Sequence, residues 1–86
     1  MAKQSQKKSP EKVFRIGHVS ASVFLNEGSS EGNARSFRSV NVQRSYRDGD
    51  DTKFSSSFTL ADLPTAIRVL QLAQHYVEQA EAEVGG

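Results

Sequence analysis

The spacing of apolar residues changes once along this 86-residue chain, at Asp62. Before Asp62 apolar residues alternate with polar ones, most clearly over residues 19–25, and from Leu63 they recur every three or four positions. A period of two is typical of a half-buried strand, and a period near 3.6 is typical of an amphipathic helix. The sequence therefore predicts an α+β fold, with strands first and one helix last.

Turn signals divide the first part into three predicted strands, over residues 13–25, 35–47 and 52–60. A loop rich in Gly, Ser and Asn separates the first two, and the acidic, glycine-containing stretch RDGDD separates the last two. Within the first strand the apolar parity changes at Gly17, which favours a bulge or a sharp bend there. The chain thus predicts an antiparallel sheet with one face covered by the helix.

Antiparallel pairing predicts which residues meet across this sheet. If paired numbers of the first two strands sum to 61, apolar residues meet on the helix-covered face and Phe24 faces Phe37 on the polar face. For the second and third strands we expect a sum of 100, which puts Phe54 opposite Tyr46 on the helix-covered face. On the helix we expect the apolar face to include Leu63, Ala66, Ile67, Leu70 and Ala73.

The chain is long enough for one small domain. Residues 1–12 are lysine-rich and almost free of apolar residues, so we predict a disordered basic tail followed by a domain over residues 13–86. Without cysteine there is no disulfide and no thiolate metal site. Oligomerisation is the remaining common way to stabilise so small a domain, and we expect a homodimer.

Charge is distributed unevenly along the chain. Residues 1–47 carry nine Lys and Arg against three Glu, whereas residues 48–86 carry two against seven Asp and Glu. This asymmetry favours a polyanionic partner on one side of the molecule. No apolar run approaches a membrane span or follows the basic start as in a signal peptide. We expect no membrane association and a cytoplasmic location, nucleoid-associated in a bacterium and nuclear in a eukaryote.

Catalytic motifs find little support. The two histidines, His18 and His75, have no second metal ligand at metal spacing, and no serine stands in a nucleophile-elbow context. The glycine-rich stretch EGSSEGN lacks the lysine of a phosphate loop. We therefore expect no enzymatic activity and no metal, cofactor or small-molecule substrate.

The basic and aromatic residues of the strands indicate binding. The planar guanidinium of arginine suits phosphate, and exposed aromatic rings suit unpaired bases. Phe24 and Phe37 have three open interpretations, namely a small core under the loop, a subunit contact, or a stacking platform for bases. The predicted phosphate contacts are Arg15, Arg35, Arg38, Arg44 and Lys53, with base contacts from Phe24, Phe37 and Tyr46 and hydrogen bonds from Ser20, Ser22 and Asn41.

Three stretches carry a family resemblance: VSASVF (residues 19–24), VNVQRSYRDGDD (40–51) and FSSSFTLADLPTAIRVL (54–70). With them the chain resembles the single-stranded-DNA-binding transcription coactivators of the positive-cofactor-four type, whose fold is related to that of the plant Whirly proteins. The resemblance implies a bent sheet of four strands and a C-terminal helix (ββββα), with Gly17 dividing the first strand. It also implies a homodimer packed partly through the helices, and base contacts at the matching positions Phe24 and Tyr46.

The leading hypothesis from the sequence is a non-enzymatic, dimeric module that binds single-stranded nucleic acid with little sequence preference. DNA is favoured over RNA, and the module would serve as an accessory factor in transcription, replication or repair. The alternative is a homodimeric protein-interaction module that does not bind nucleic acid.

Overall fold

The computed structural model describes residues 9–30 and 33–82. The strands are β1 (Lys12–Ile16), β2 (Val19–Ser30), β3 (Asn33–Asp48) and β4 (Asp51–Ser55), followed by a 3-10 turn (Leu60–Asp62) and helix α1 (Leu63–Glu81). All four strands form one antiparallel sheet in the order β1-β2-β3-β4. The predicted ββββα order, an α+β fold, is confirmed. Residues 1–8 of the predicted tail lie outside the described residues, whereas Lys12 begins β1 and the Glu11 N–H donates to the Val23 carbonyl at 2.7 Å.

A tight hairpin at Gly17 replaces the expected bulge or bend. Ile16 pairs with Val19, so Gly17 and His18 form a two-residue loop, and Gly17 has φ +62°. Two-residue hairpin loops need a positive φ at their first residue, which glycine adopts without a steric cost. The hairpin also explains the change of parity, because even-numbered Phe14 and odd-numbered Ala21 are partners on the same face.

The pairing of β2 with β3 differs from the expectation by two residues. Paired numbers sum to 63, so that Val23 faces Val40 and Phe24 faces Ser39. The expectation that Phe24 faces Phe37 is therefore wrong. Because side chains alternate with a period of two, a shift by two keeps each side chain on its predicted face, and apolar patterning cannot distinguish the two registers.

The pairing of β3 with β4 corrects a second expectation. Tyr46 pairs with Lys53 and Ser45 with Phe54, so paired numbers sum to 99 and not to 100. Gly49, with φ +66°, opens a two-residue loop completed by Asp50. The geometry of this two-residue loop sets the register of β3 and β4, and Phe54 therefore lies on the face opposite to the expected one.

Helix α1 packs on one face of β1, β2 and β3. The buried core consists of three residues from β2 and three from α1: Val19, Ala21, Val23, Ala66, Val69 and Ala73. Phe14 and Tyr76 extend this core with an edge-to-face contact at 6.1 Å between ring centroids. We call this side of the sheet the helix-side face and the other side the open face.

The helix is rotated relative to the predicted apolar face. Val69 is fully buried together with the small residues Ala66 and Ala73, whereas Leu63, Ile67 and Leu70 are exposed. Small residues allow α1 to lie close to the sheet. The apolar surface of α1 extends further around the helix than the part that the sheet covers. A stripe of large apolar side chains consequently faces solvent on α1 and on Leu60 just before it, which is 83% exposed.

The hairpin formed by β2 and β3 is longer than its neighbours. The pairing of β1 with β2 stops at Val23, and the pairing of β4 with β3 stops at Arg44. Residues 24–30 and 33–39 therefore form a two-stranded segment, here called the ribbon, with no further strand beside it in the described chain.

Candidate nucleic-acid interface

The open face combines aromatic, arginine and uncharged polar side chains. Strand alternation and the observed registers place fourteen described side chains there: Val13, Arg15, Ser20, Ser22, Phe24, Asn26, Phe37, Ser39, Asn41, Gln43, Ser45, Arg47, Thr52 and Phe54. None of these fourteen is acidic. The face therefore carries positive charge and hydrogen-bonding groups with no negative charge among its described side chains.

Phe24 and Phe37 lie on the ribbon at diagonal positions. Phe24 is opposite Ser39, and Phe37 is opposite Asn26. The Asn26 Nδ2 donates to the Ser39 Oγ at 2.9 Å along the other diagonal. No ring contact joins the two phenylalanines in the described structure, and Phe37 is 54% exposed while Phe24 is half-buried. The rings therefore flank a polar bridge and do not cover each other.

The predicted hydrogen-bonding residues lie beside these rings. Ser22 is opposite Asn41, and Ser20 is opposite Gln43. Hydroxyl and amide groups can both donate and accept, so this row can contact bases or sugars without adding charge.

Two exposed arginines lie on the open face. Arg15 on β1 is opposite Ser20, and Arg47 on β3 is opposite Thr52. Neither forms an ion pair with any residue that the structure describes. Arg35 is opposite Gly28 in the backbone pairing, and its side chain lies outside the described structure.

Arg38 lies on the helix-side face, where two acids bind it. Its Nε and Nη2 donate to the two carboxylate oxygens of Glu11 at 2.8 and 3.1 Å, and its Nη1 donates to Glu81 at 3.5 Å. The hydrogen bond from Arg38, followed by one with Tyr76, lowers the pKa of the Glu11 carboxyl. Arg38 thereby joins the residue preceding β1 to the last turn of α1.

Arg44 also lies on the helix-side face and joins β3 to the start of the helix. Its Nε donates to the Ser57 carbonyl at 2.9 Å and lies 3.4 Å from a carboxylate oxygen of Asp62. The Thr59 hydroxyl donates to Asp62 at 2.9 Å, and the His18 Nε2 lies 3.1 Å from its other oxygen. Hydrogen bonds from Thr59 and then His18 lower the pKa of Asp62.

Tyr46 and Lys53 are partners on the helix-side face, beyond the helix. The Arg44 guanidinium lies 5.6 Å from the Tyr46 ring centroid, and the Lys53 Nζ lies 3.3 Å from an Asp48 oxygen. Tyr46 is therefore on the opposite face of the sheet from Phe24. The structure brings together six of the predicted site residues on the open face, namely Arg15, Ser20, Ser22, Phe24, Phe37 and Asn41.

Two residues of the open face were missed from the sequence. Phe54, which is 61% exposed, is expected on the helix-side face through the wrong register, and Arg47 belongs to the clustered arginines of the strands but not to the predicted phosphate contacts. The signal for Phe54 was present, because Gly49-Asp50 is a typical two-residue hairpin loop and fixes the observed register. Alternation along β3 gives a second signal. Arg38 and Arg44 occupy even-numbered positions, like Val40 and Val42, whose side chains face the core, so all four lie on the helix-side face.

Comparisons of the chain with protein-family models, with curated proteins and with solved structures returned no match. Among the described residues no helix is long and apolar enough to cross a membrane. No group of three or more His, Cys, Asp or Glu in that part of the chain could hold a metal ion.

Proposed function

We propose that this chain is a non-enzymatic module that binds single-stranded nucleic acid on its open face, with DNA favoured over RNA and with little sequence preference. The observation that carries the proposal is the composition of that face, where exposed phenylalanines stand among uncharged polar groups and arginines without an ion pair in the described chain, with no acid among the described side chains. The ββββα order agrees with the resemblance to single-stranded-DNA-binding coactivators, which further suggests a role as an accessory factor in transcription, replication or repair.

Stacking explains why large aromatic rings stand on a polar face. A base laid on an aromatic ring contributes roughly 1–3 kcal/mol, and every base has such a face, so the contact needs little sequence preference. In a duplex the bases are already stacked and paired, and flat rings on a sheet cannot reach them. Phe37, which is 54% exposed, and the half-buried Phe24 are the proposed platforms on the ribbon.

The phosphate contacts differ from the set expected from the sequence. Arg15 and Arg47 are free of ion pairs within the described chain and lie on the same face as the rings. Arg38 and Arg44 are bound to acids on the other face, so a phosphate would have to displace Glu11 or Asp62 to reach them. We assign the main phosphate contacts to Arg15 and Arg47, with Arg35 at the strand position opposite Gly28.

Fluorescence anisotropy with a labelled single-stranded oligonucleotide of about twenty nucleotides tests the proposal, at low and high salt and with a duplex competitor. We expect binding that weakens with salt and that duplex competes poorly. Phe37→Ala should weaken it by the contribution of one stacked base, roughly 1–3 kcal/mol. Tyr46→Ala removes a comparably exposed aromatic ring, 41% against 54%, from the helix-side face and is the matched control, expected to bind normally. Absence of binding at low salt would contradict the proposal.

A second candidate function is self-association through α1, which the exposed apolar stripe on that helix favours. Leu63, Ile67 and Leu70 are spaced by four and three residues and remain 41%, 55% and 45% exposed. Such spacing forms the seam of paired helices, so we propose that two copies of the chain pair through this stripe. If the chain dimerises but binds no oligonucleotide, the alternative of a homodimeric protein-interaction module is favoured.

Sedimentation velocity tests the dimer directly. Ile67→Glu places a charge in the centre of the stripe and should convert the dimer to a monomer. Gln79→Glu introduces the same charge at an exposed position elsewhere on α1 and should leave the dimer intact. A monomeric wild-type chain at concentrations well above micromolar would contradict the proposed pairing.

A further inference from the structure

Phe54 is the most exposed of the five phenylalanines. It is 61% exposed, compared with 54% for Phe37, while Phe14, Phe24 and Phe58 are half-buried. It lies on the open face of β4 opposite Ser45, two residues along the strand from the Arg47–Thr52 pair on the same face. Like Phe37 on the ribbon, Phe54 is a ring left in water on the open face, and Arg47 on that face forms no ion pair with a described residue.

The two aromatic positions lie at opposite ends of the open face. Phe37 and Ser45, the partner of Phe54, are eight residues apart on β3, which at about 3.4 Å per residue is roughly 27 Å along the strand. The hydroxyl and amide side chains of Ser39, Asn41 and Gln43 occupy the path between them. Stacked nucleotides of one strand are spaced by about 3.4 Å, so about eight of them span this path.

We infer that a bound single strand crosses the whole open face and makes a second stacking contact at Phe54, with Arg47 binding a phosphate beside it. This inference rests on the proposed function and gives it a direction and a length dependence. At the stacked spacing, a strand shorter than about eight nucleotides reaches only one of the two aromatic positions, whereas a longer strand reaches both.

Phe54 takes the place that the family resemblance gives to Tyr46. Tyr46 lies on the helix-side face with the Arg44 guanidinium 5.6 Å from its ring centroid, so its exposed ring faces away from Phe37. Phe54 is one strand away and faces the same side as Phe37. A single strand can therefore contact Phe37 and Phe54 without crossing an edge of the sheet.

Length-dependent binding tests the inference. Labelled oligothymidines of about 4, 8, 12 and 20 nucleotides are titrated by anisotropy against the wild-type chain and against Phe54→Ala, Phe54→Leu and Tyr46→Ala. For the wild type we expect affinity to rise steeply between the 4-mer and the 12-mer. Phe54→Ala and Phe54→Leu should each weaken binding of the 20-mer by about 5- to 150-fold, the contribution of one stacked base. They should change binding of the 4-mer by no more than about twofold, because Phe37 remains.

The outcomes separate the inference from the proposed function. If Phe37→Ala weakens binding of the 20-mer but both Phe54 variants bind it as the wild type does, the inference is overturned and the function stands. The same holds if Tyr46→Ala weakens binding and the Phe54 variants do not. If no oligothymidine binds the wild type at low salt, the proposed function fails and the inference fails with it. Thermal unfolding of Phe54→Leu, which keeps an apolar side chain, shows whether a loss of binding reflects a loss of folding.

Discussion

The separation of arginines between the two faces determines how steeply binding should fall with salt. Each phosphate contact of a single strand contributes a slope of about 0.7 in the logarithm of affinity against the logarithm of salt. Contacts by Arg15 and Arg47 alone give a slope of about −1.4, and Arg35 as a third gives about −2.1. The five cations expected from the sequence, which include Arg38, Arg44 and Lys53, would give about −3.5.

Single substitutions resolve which arginines contribute. Arg47→Gln should reduce the magnitude of the slope by about 0.7 because it removes one phosphate contact. Arg38→Gln should leave the slope unchanged, because its guanidinium already binds Glu11 and Glu81 on the helix-side face. Arg68→Gln removes the same charge from the exposed surface of α1 and is the matched control for net charge.

The assay is anisotropy of a labelled oligothymidine of about twenty nucleotides, titrated at several salt concentrations between about 50 and 200 mM. A wild-type slope near −3.5 for each chain bound would refute the assignment, because one open face does not carry enough arginines for it. An equal reduction of the slope by Arg38→Gln and by Arg47→Gln would refute it as well, since phosphates would then run over the helix-side face.

Three further predictions concern the fold. Val69→Ala removes two buried methyl groups and should lower the free energy of unfolding by at least about 1.6 kcal/mol in chemical denaturation. Arg68→Ala changes the neighbouring exposed residue and should be nearly neutral. Equal losses of unfolding free energy in the two variants would contradict the observed rotation of α1. Gly49→Ala at φ +66° should cost about 1–2 kcal/mol by thermal unfolding, whereas Gly28→Ala, which has open space and no positive φ, should not destabilise the chain. Arg38 keeps the pKa of Glu11 lower in the folded than in the unfolded chain, so its stabilisation is present at neutral pH and is lost as the pH falls below the ordinary pKa of a glutamate. Denaturant midpoints at pH 7 and pH 3 should therefore differ less for Arg38→Gln than for the wild type, and identical differences would exclude this ion pair as a source of acid sensitivity.

Faces were easier to predict from the sequence than registers. Alternation alone placed Val19, Ala21 and Val23 on the buried face, and the β2–β3 register could shift by two residues without altering that pattern. The register of β4 went wrong because burial of Phe54 was weighted above the geometry of a two-residue loop. Turn geometry acts through the backbone and holds even where it leaves a phenylalanine in water.

About half of the candidate site could be predicted from the sequence, because alternation places a side chain on a face but does not fix the register. Phe24 and Phe37 were correctly placed on the polar face by parity, but their diagonal arrangement around the Asn26–Ser39 hydrogen bond depends on the exact register. Arg38 and Arg44 belong to the predicted site because arginine suits phosphate and both lie among the clustered arginines of the strands. Their ion pairs with Glu11 and Asp62 join residues distant in sequence, and no local pattern indicates such contacts.

The ribbon gives the open face two regions of unequal local stability. Residues 24–30 and 33–39 pair with each other beyond the ends of β1 and β4, and a two-stranded hairpin is only marginally stable in water. Its amide hydrogens should exchange with solvent through local openings that leave the Val19–Val69 core intact, whereas exchange in the core requires global unfolding. A single strand that joins Phe37 on the ribbon to Phe54 on β4 would connect these regions, so that binding slows exchange in the ribbon by holding it to the rest of the sheet.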